Sequence, residues 1–191
     1  KTHLTPDYAF KVVNKSDGHP VRLGKQSIRF ELRRGDCGVH VGGYNDCTIW
    51  DEKTGWYSER YELASELKII TKGTTWHAYS IFIPEDTPTV GQGYEHMSLG
   101  QFHGAGLSKP SFIFNVDTGA YVLKRRTYCH TKEFLKRKKK GLKCRSEMEE
   151  NHNQELISEN NLKGKWHDIV INVKWSTKNN GHYKEWINGK L

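Results

Sequence analysis

Residues 27–33 read Ser-Ile-Arg-Phe-Glu-Leu-Arg and alternate between apolar and charged side chains with a period of two. Such alternation is typical of a β-strand, because successive side chains of a strand point to opposite faces of the sheet. We expect one face of this strand to pack on a core and the other face to carry charge. The apolar side chains are Ile28, Phe30 and Leu32, and the charged ones are Arg29, Glu31 and Arg33.

Short runs of the same kind recur along the chain and are separated by turns rich in Gly, Asn, Asp or Pro. Their spacing predicts an all-β fold, an antiparallel sandwich of two sheets. A strong turn signal, Asn188-Gly189, follows the last run and indicates that the chain continues past Leu191 into a further strand, or that its end is not represented. The predicted strands are 8–13, 27–33, 61–70, 76–83, 98–102, 111–116, 120–123, 169–175 and 183–187.

The chain of 191 residues is long enough for one sizeable core, so residues 1–191 are predicted to form a single domain. A long excursion from about residue 125 to 165 interrupts the strand pattern and is interpreted as an insertion. A basic helix is predicted at 132–140 and a second helical turn around 147–157. Apolar runs stay well below the roughly 18 residues of a membrane-spanning helix, so no membrane partner is expected.

The formal net charge is +8, with 30 Lys and Arg against 22 Asp and Glu. This excess favours a polyanionic partner, and charge alone does not choose between an acidic polysaccharide and a nucleic acid. The basic block at 136–140 is interpreted as a solvated surface loop, because the aromatic ladder of single-strand nucleic-acid binding does not accompany it. We expect an acidic polysaccharide partner, no nucleic acid, and a monomer.

Four cysteines form two local pairs in the sequence, Cys37 with Cys47 and Cys129 with Cys144. We expect two disulfides that each close a short loop, which would stabilise the fold by about 3 kcal/mol apiece. Such bridges fit an oxidising compartment, so a secreted or extracellular protein is predicted. The alternative is four reduced thiols in a cytosolic protein. Zinc is disfavoured by the spacing of the cysteines.

Three segments place polar side chains at positions i and i+2, where strand residues share one face. Gln101 and His103 flank Phe102, which is expected to be buried behind them. Arg60 and Glu62 form a second pair. The third segment carries Arg29, Glu31 and Arg33. The sequence therefore predicts that an amide, an imidazole and positive charge converge in one groove.

These groups fit β-elimination of a uronate-containing polysaccharide. The proton on carbon five is weakly acidic, so an amide or guanidinium must neutralise the adjoining carboxylate as charge grows. A histidine can then take the proton, and a tyrosine hydroxyl can protonate the leaving oxygen. Hydrolysis is disfavoured because it requires two suitably spaced carboxylates, and the nearest cluster, at 147–150, lies in the predicted insertion.

Six segments, taken in order, resemble the heparin-lyase-like and glucuronan-lyase-like polysaccharide lyases. Two of them, Arg60-Tyr-Glu-Leu63 and Gln101-Phe-His103, are also similar to the R-[ST]-E-L and Q-[IV]-H motifs of alginate lyases. The resemblance covers most of the chain and implies a concanavalin-A-like β-jelly roll. The six segments are 27–37, 59–63, 79–84, 101–103, 166–175 and 186–190.

The resemblance implies that Gln101 and Arg60 neutralise the substrate carboxylate and that His103 is the base or a neutraliser beside it. It also implies a catalytic tyrosine on a strand after the segment 186–190. That general acid is therefore expected beyond Leu191 or at another tyrosine, or it is missing from an inactive protein. Arg29, Arg33 and Glu62 are the predicted substrate-binding residues.

Each assignment has a plainer alternative. His103 could hydrogen-bond within the sheet, Arg60 and Glu62 could form an ion pair that only shapes the groove, and Arg29 and Arg33 could be ordinary surface charges. A non-catalytic carbohydrate-binding jelly roll and a basic polyanion-binding protein remain the competing functions. No cofactor is required by the predicted chemistry. A structural calcium site could use Asp36, Asp46 and Asp51, although no ordered ligand loop is readable.

Overall fold

The computed structural model describes residues 3–4, 6–40, 45–48, 59–64, 72–88, 97–103, 110–125, 152–176 and 180–191. The chain divides into two compact units, Lys1–Lys68 and Ile69–Leu191, and each is described by itself. The single domain predicted for residues 1–191 stays a prediction. Within the described ranges, no helix is long and apolar enough to cross a membrane.

Unit Lys1–Lys68 contains two antiparallel strand pairs. Its strands are β1 (His3–Leu4), β2 (Phe10–Asn14), β3 (Gln26–Phe30) and β4 (Val39–His40). β1 pairs with β4, and β2 pairs with β3. A disulfide joins Cys37 to Cys47, as predicted. The other two cysteines, Cys129 and Cys144, lie outside the described residues.

The strand predicted at 27–33 forms only as far as Phe30, and its apolar face is not buried. Ile28, Phe30 and Leu32 are 56%, 59% and 48% exposed, so the prediction of a core-facing side is wrong. The reason is physical: alternation fixes which side chains share a face, but a ribbon of two strands buries that face only if another layer covers it.

The strand predicted at 61–70 is also wrong over its described part. Residues 59–64 form no strand, and residues 65–70 lie outside the described residues. Side chains hold this segment instead of a ladder: the Gly35 N–H donates to Glu59 Oε1 at 2.5 Å, and Arg60 pairs with Asp46. Polar side-chain contacts of this kind are not visible as sequence periodicity.

The described residues of unit Ile69–Leu191 form two antiparallel sheets and one short helix. The sheets have the strand orders β11-β10-β5 and β6-β7-β8-β9. For most strands of this unit that were predicted, the first and last residues lie within a few residues of the predicted bounds. The elements are β5 (Gly73–Phe82), β6 (Met97–Phe102), β7 (Phe112–Asp117), β8 (Ala120–Arg125), β9 (His152–Ile157), α1 (Glu159–Leu162), β10 (Trp166–Trp175) and β11 (His182–Ile187).

Alternation along β10 builds the core between these two sheets. Ile169, Ile171 and Val173 are almost fully buried, and burial of each such side chain contributes about 1.5–3 kcal/mol. The facing side of the other sheet contributes Tyr121 and Leu123. Contacts across the core join the sheets: the hydroxyls of Tyr79 and Tyr121 lie 2.8 Å apart, and the rings of Phe112 and Tyr183 stack at 4.7 Å.

The helical turn predicted around 147–157 is wrong where the structure describes it, because residues 152–157 form strand β9. Pairing with β8 places Ile157 opposite Tyr121 and buries the Ile157 side chain. The stabilisation from this burial outweighs any local helical preference. Leu162 of α1 joins the same core. The basic helix predicted at 132–140 lies outside the described residues.

The turn predicted at Asn188-Gly189 is confirmed. Both residues have positive φ angles, 51° and 80°, as a tight hairpin turn of this type requires. The Asn188 side chain ties the turn to β10: its Oδ1 accepts the Asp168 N–H at 2.9 Å, and its Nδ2 lies 3.2 Å from His167 Nδ1.

Glu185 is a carboxyl group on the inward side of β11. Burial raises its pKa to about 7, and the hydrogen bond that it accepts from the Tyr183 hydroxyl at 2.7 Å opposes this rise. The other carboxyl oxygen, Oε1, is buried and has no hydrogen-bond partner among the described residues. The folded state therefore favours the protonated form of Glu185.

We expect the protein to lose stability as pH rises from about 4.5 to 8, because the folded state binds the Glu185 proton more tightly than the unfolded chain does. Glu185→Gln mimics the protonated form, so its melting temperature should fall less over this range. The control is Glu155→Gln on the exposed side of β9. Parallel melting curves against pH for wild type and Glu185→Gln would contradict the burial argument.

Candidate active site

Gln101 is exposed on β6, and a β-bulge sets its direction. Ser98 and Gly100 pair with consecutive residues of β7, so Leu99 is an extra residue in the ladder. A bulge of this kind shifts the alternation of the strand by one residue. Without it, Gln101 would point into the core instead of away from it.

Phe102 anchors the end of β6 between Gln101 and His103. It is partly buried, whereas Gln101 and His103 are exposed, which confirms the predicted alternation. His103 directly follows the last residue of the strand. The Phe102 ring contacts a set of aromatic core rings, those of His77, Phe112, Phe114 and Trp175.

A row of four residues, three of them polar, crosses the four strands on the outward side of this sheet. Gln101 lies opposite Ile113, which lies opposite Lys124, which lies opposite Asn153. We call the side of the sheet that carries these four residues the Gln101 face. Neighbouring strands are about 4.8 Å apart, so the backbones at Gln101 and Lys124 are separated by about 10 Å. Lys124 Nζ lies 2.8 Å from Asp117 Oδ2.

Sequence reasoning missed Lys124, because the strand was predicted to end at residue 123. The signal was present in the alternation: Tyr121 and Leu123 are fully buried, and Val122 and Lys124 occupy the opposite side. Extending the strand by one residue would have placed a cation on the same sheet face as Gln101.

Three tyrosines of this unit point into the core and away from the Gln101 face. Burial raises the pKa of Tyr79, Tyr121 and Tyr183, which keeps their hydroxyls protonated. In the other unit, the Tyr8 hydroxyl donates to Asp36 at 2.5 Å. Among the described tyrosines of unit Ile69–Leu191, none is placed to protonate a leaving group at Gln101.

Arg60 forms a bidentate ion pair with Asp46. Its Nη2 and Nε donate to the two carboxylate oxygens at 2.8 and 3.0 Å, and Asp46 is only 1% exposed. The predicted strand geometry, with Arg60 and Glu62 on one sheet face, is wrong because this segment is not a strand. Asp46 is the carboxylate that holds the guanidinium in place.

Arg29, Glu31 and Arg33 form a surface ion-pair network. Glu31 lies 2.6 Å from Arg29 Nη2 through one carboxylate oxygen and 2.6 Å from Arg33 Nε through the other. The hydrogen bond from Arg33, supported by the charges of both arginines, lowers the pKa of Glu31. These residues and Arg60 belong to unit Lys1–Lys68, whereas Gln101 and His103 belong to the other unit, so their convergence stays a prediction.

Two of the aspartates proposed for calcium have protein partners. Asp36 accepts hydrogen bonds from the Tyr8 hydroxyl and from the Arg33 N–H, and Asp46 pairs with Arg60. Asp51 lies outside the described residues. In the described part of the chain, no group of three or more His, Cys, Asp or Glu side chains is arranged to hold a metal ion.

The comparisons with known proteins identify the family. The family model for polysaccharide lyase matches residues 13–191, which is most of the chain. The chain belongs to the polysaccharide lyase family. It is therefore a carbon–oxygen lyase that acts on polysaccharide. No curated protein and no solved structure matches it.

We expect Arg60→Ala to lower the free energy of unfolding by about 2 kcal/mol, because it removes the bidentate partner of a buried carboxylate. Arg60→Lys keeps the charge but loses the fork geometry and should cost less. Urea denaturation measures both, with the exposed Arg34→Ala as the control. Equal losses for Arg60→Ala and Arg34→Ala would show that the pair does not hold this segment.

Proposed function

We propose that this polysaccharide lyase cleaves a uronate-containing acidic polysaccharide by β-elimination on the Gln101 face. The observation that carries the proposal is the pair of exposed side chains Gln101 and His103 at the end of β6, in a chain that belongs to the polysaccharide lyase family. An amide and an imidazole at adjacent outward positions supply the two groups with which elimination begins.

The reaction starts at carbon five of the uronate. The Gln101 amide N–H donates to the substrate carboxylate and stabilises the negative charge that grows as the proton leaves. His103 accepts that proton, and the electron pair of the broken C–H bond forms a double bond between carbons four and five. The bond from carbon four to the glycosidic oxygen breaks, and this oxygen takes a proton from a general acid.

That general acid is not Tyr79, Tyr121 or Tyr183, because their hydroxyls face the core. We propose a tyrosine outside the described residues as this general acid. We further propose Arg60 as a carboxylate-neutralising residue, and Arg29, Arg33 and Glu62 as substrate-binding residues.

Lys124 is a further substrate-binding residue in this proposal. It lies two strands from Gln101 on the same face, so its ammonium group can bind the carboxylate of a neighbouring uronate. Its ion pair with Asp117 holds the side chain over the sheet. The formal charge of +8 favours the approach of a polyanion in general.

We propose a concanavalin-A-like jelly roll that resembles the heparin-lyase-like and glucuronan-lyase-like enzymes. The disulfide between Cys37 and Cys47 supports a location outside the cytosol. Elimination as described requires no cofactor, and a structural calcium ion would not take part in it.

We expect wild-type protein, mixed in turn with glucuronan, alginate, heparin and hyaluronan, to release a product with the ultraviolet absorbance of an unsaturated uronate. His103→Ala should lower kcat by about a hundredfold to ten-thousandfold, the usual contribution of a general base. Gln101→Ala should lower it by about a hundredfold or more.

The matched controls are His19→Ala and Gln26→Ala, which lie in the other unit and should retain full activity. Full activity of both Gln101→Ala and His103→Ala would place the reaction elsewhere on the protein. Absence of unsaturated product from every polymer would contradict a uronate substrate.

We expect Lys124→Gln to raise KM for the polymer by about tenfold with little change in kcat, because it removes a binding charge away from the reacting carbon. Asp117→Asn removes the partner of the same lysine but keeps the cation, and should leave KM unchanged or lower it. Steady-state kinetics at low ionic strength measure both. A loss in kcat alone for Lys124→Gln would contradict a binding role.

A further inference from the structure

A pair of stacked tryptophans lies on the outward side of the three-stranded sheet. Trp76 of β5 is 64% exposed, and its ring stacks on that of Trp186 of β11 with centroids 5.6 Å apart and an interplanar angle of 24°. We call the outward side of β5, β10 and β11 around this pair the Trp76 face. It lies on the opposite side of the core from the Gln101 face.

Strand alternation directs Trp76 outward. Its neighbour Thr75 lies on the inward side, where its hydroxyl oxygen accepts the Trp175 indole N–H at 2.9 Å, and the ring of His77 contacts Phe102 of the core. The core therefore fixes the backbone on both sides of Trp76. An exposed indole held on a rigid strand is suited to binding, because its flat apolar face can stack on a ligand at little entropic cost.

Two lysines and a histidine flank the tryptophan pair. Lys174 of β10 and His182 of β11 are paired in the ladder, and Lys184 of β11 lies next to them on the same face. His182 Nε2 lies 2.8 Å from Asn172 Oδ1, which orients the imidazole. The carboxylate on the outward positions of these strands belongs to Asp168. It accepts a hydrogen bond from the Ser80 hydroxyl at 2.7 Å.

We infer that the Trp76 face is a second saccharide-binding site, which holds an acidic polysaccharide without cleaving it. The flat apolar side of a sugar ring stacks on an exposed indole, and uronate carboxylates pair with the flanking lysines. The inference goes beyond the proposed function and shares with it only the acidic polysaccharide. An enzyme that holds a long polymer on a second surface keeps the chain close to its active site.

The first test uses polymer binding in the His103→Ala background, measured by electrophoresis through gels that contain the acidic polysaccharide. Trp76→Ala should weaken binding about threefold to tenfold, the effect of losing one aromatic contact. Trp76→Phe should restore part of it. Phe30→Ala, which removes an exposed aromatic ring in the other unit, should change nothing.

The charge of the site is tested separately. Lys184→Gln should weaken polymer binding at low salt and lose this effect at high salt, whereas Lys11→Gln on β2 should not. In the otherwise wild-type enzyme, Trp76→Ala should raise KM for long polymer and leave kcat/KM for a short oligosaccharide unchanged. A general folding defect would instead lower kcat/KM for the long polymer and for the short oligosaccharide alike.

Unchanged gel retention of Trp76→Ala would overturn the inference. Sedimentation that shows a Trp76-dependent dimer would overturn it too, because a second copy of the chain would then cover the face. Failure of the proposed function is a separate result, namely the absence of unsaturated product from wild-type protein. The two failures are therefore distinguishable.

Discussion

The long antiparallel pairing of β5 with β10 is the constraint on which unit Ile69–Leu191 depends. Its register joins every residue from Trp166 to Trp175 with a residue between Phe82 and Gly73. Since side chains alternate along a strand, this one register decides both which residues enter the core and which face outward. Ile169, Ile171 and Val173 are buried, and the same alternation exposes Trp76 on the other side.

The Gln101 face depends on a second local feature, the bulge at Leu99. Phe102 enters the aromatic core only because the bulge resets the alternation of β6, and the same shift turns Gln101 outward. The core therefore positions the candidate catalytic residues although it does not touch the substrate. A rigid strand is a better support for such residues than a loop, since hydrogen bonds and a buried ring fix it at both ends.

Alternation made most strands of this unit predictable from the sequence, together with the exposure of Gln101 and His103. Features that depend on long-range contacts were not predictable. β9 was expected to be helical because its pairing with β8 cannot be seen locally, and Arg60 was placed on a strand because its ion pair with Asp46 leaves no periodic signal. The exposed apolar side of β3 is a further example, because the alternation of residues defines a face of the strand but does not show whether another layer covers that face. The burial of Glu185 depends on the pairing of β11 with β10 and was not predictable, whereas Lys124 would have been found by extending the predicted strand by one residue.

The most direct test of the account follows the Gln101 side-chain amide by nuclear magnetic resonance while a uronate oligosaccharide is titrated into the His103→Ala variant. We expect a saturable shift of the Gln101 amide resonances, because the proposed function places the substrate carboxylate at this amide. The resonances of the Gln26 side chain, in the other unit, should not move. Binding of the oligosaccharide with no change at Gln101 would contradict the central claim that this residue holds the reacting uronate.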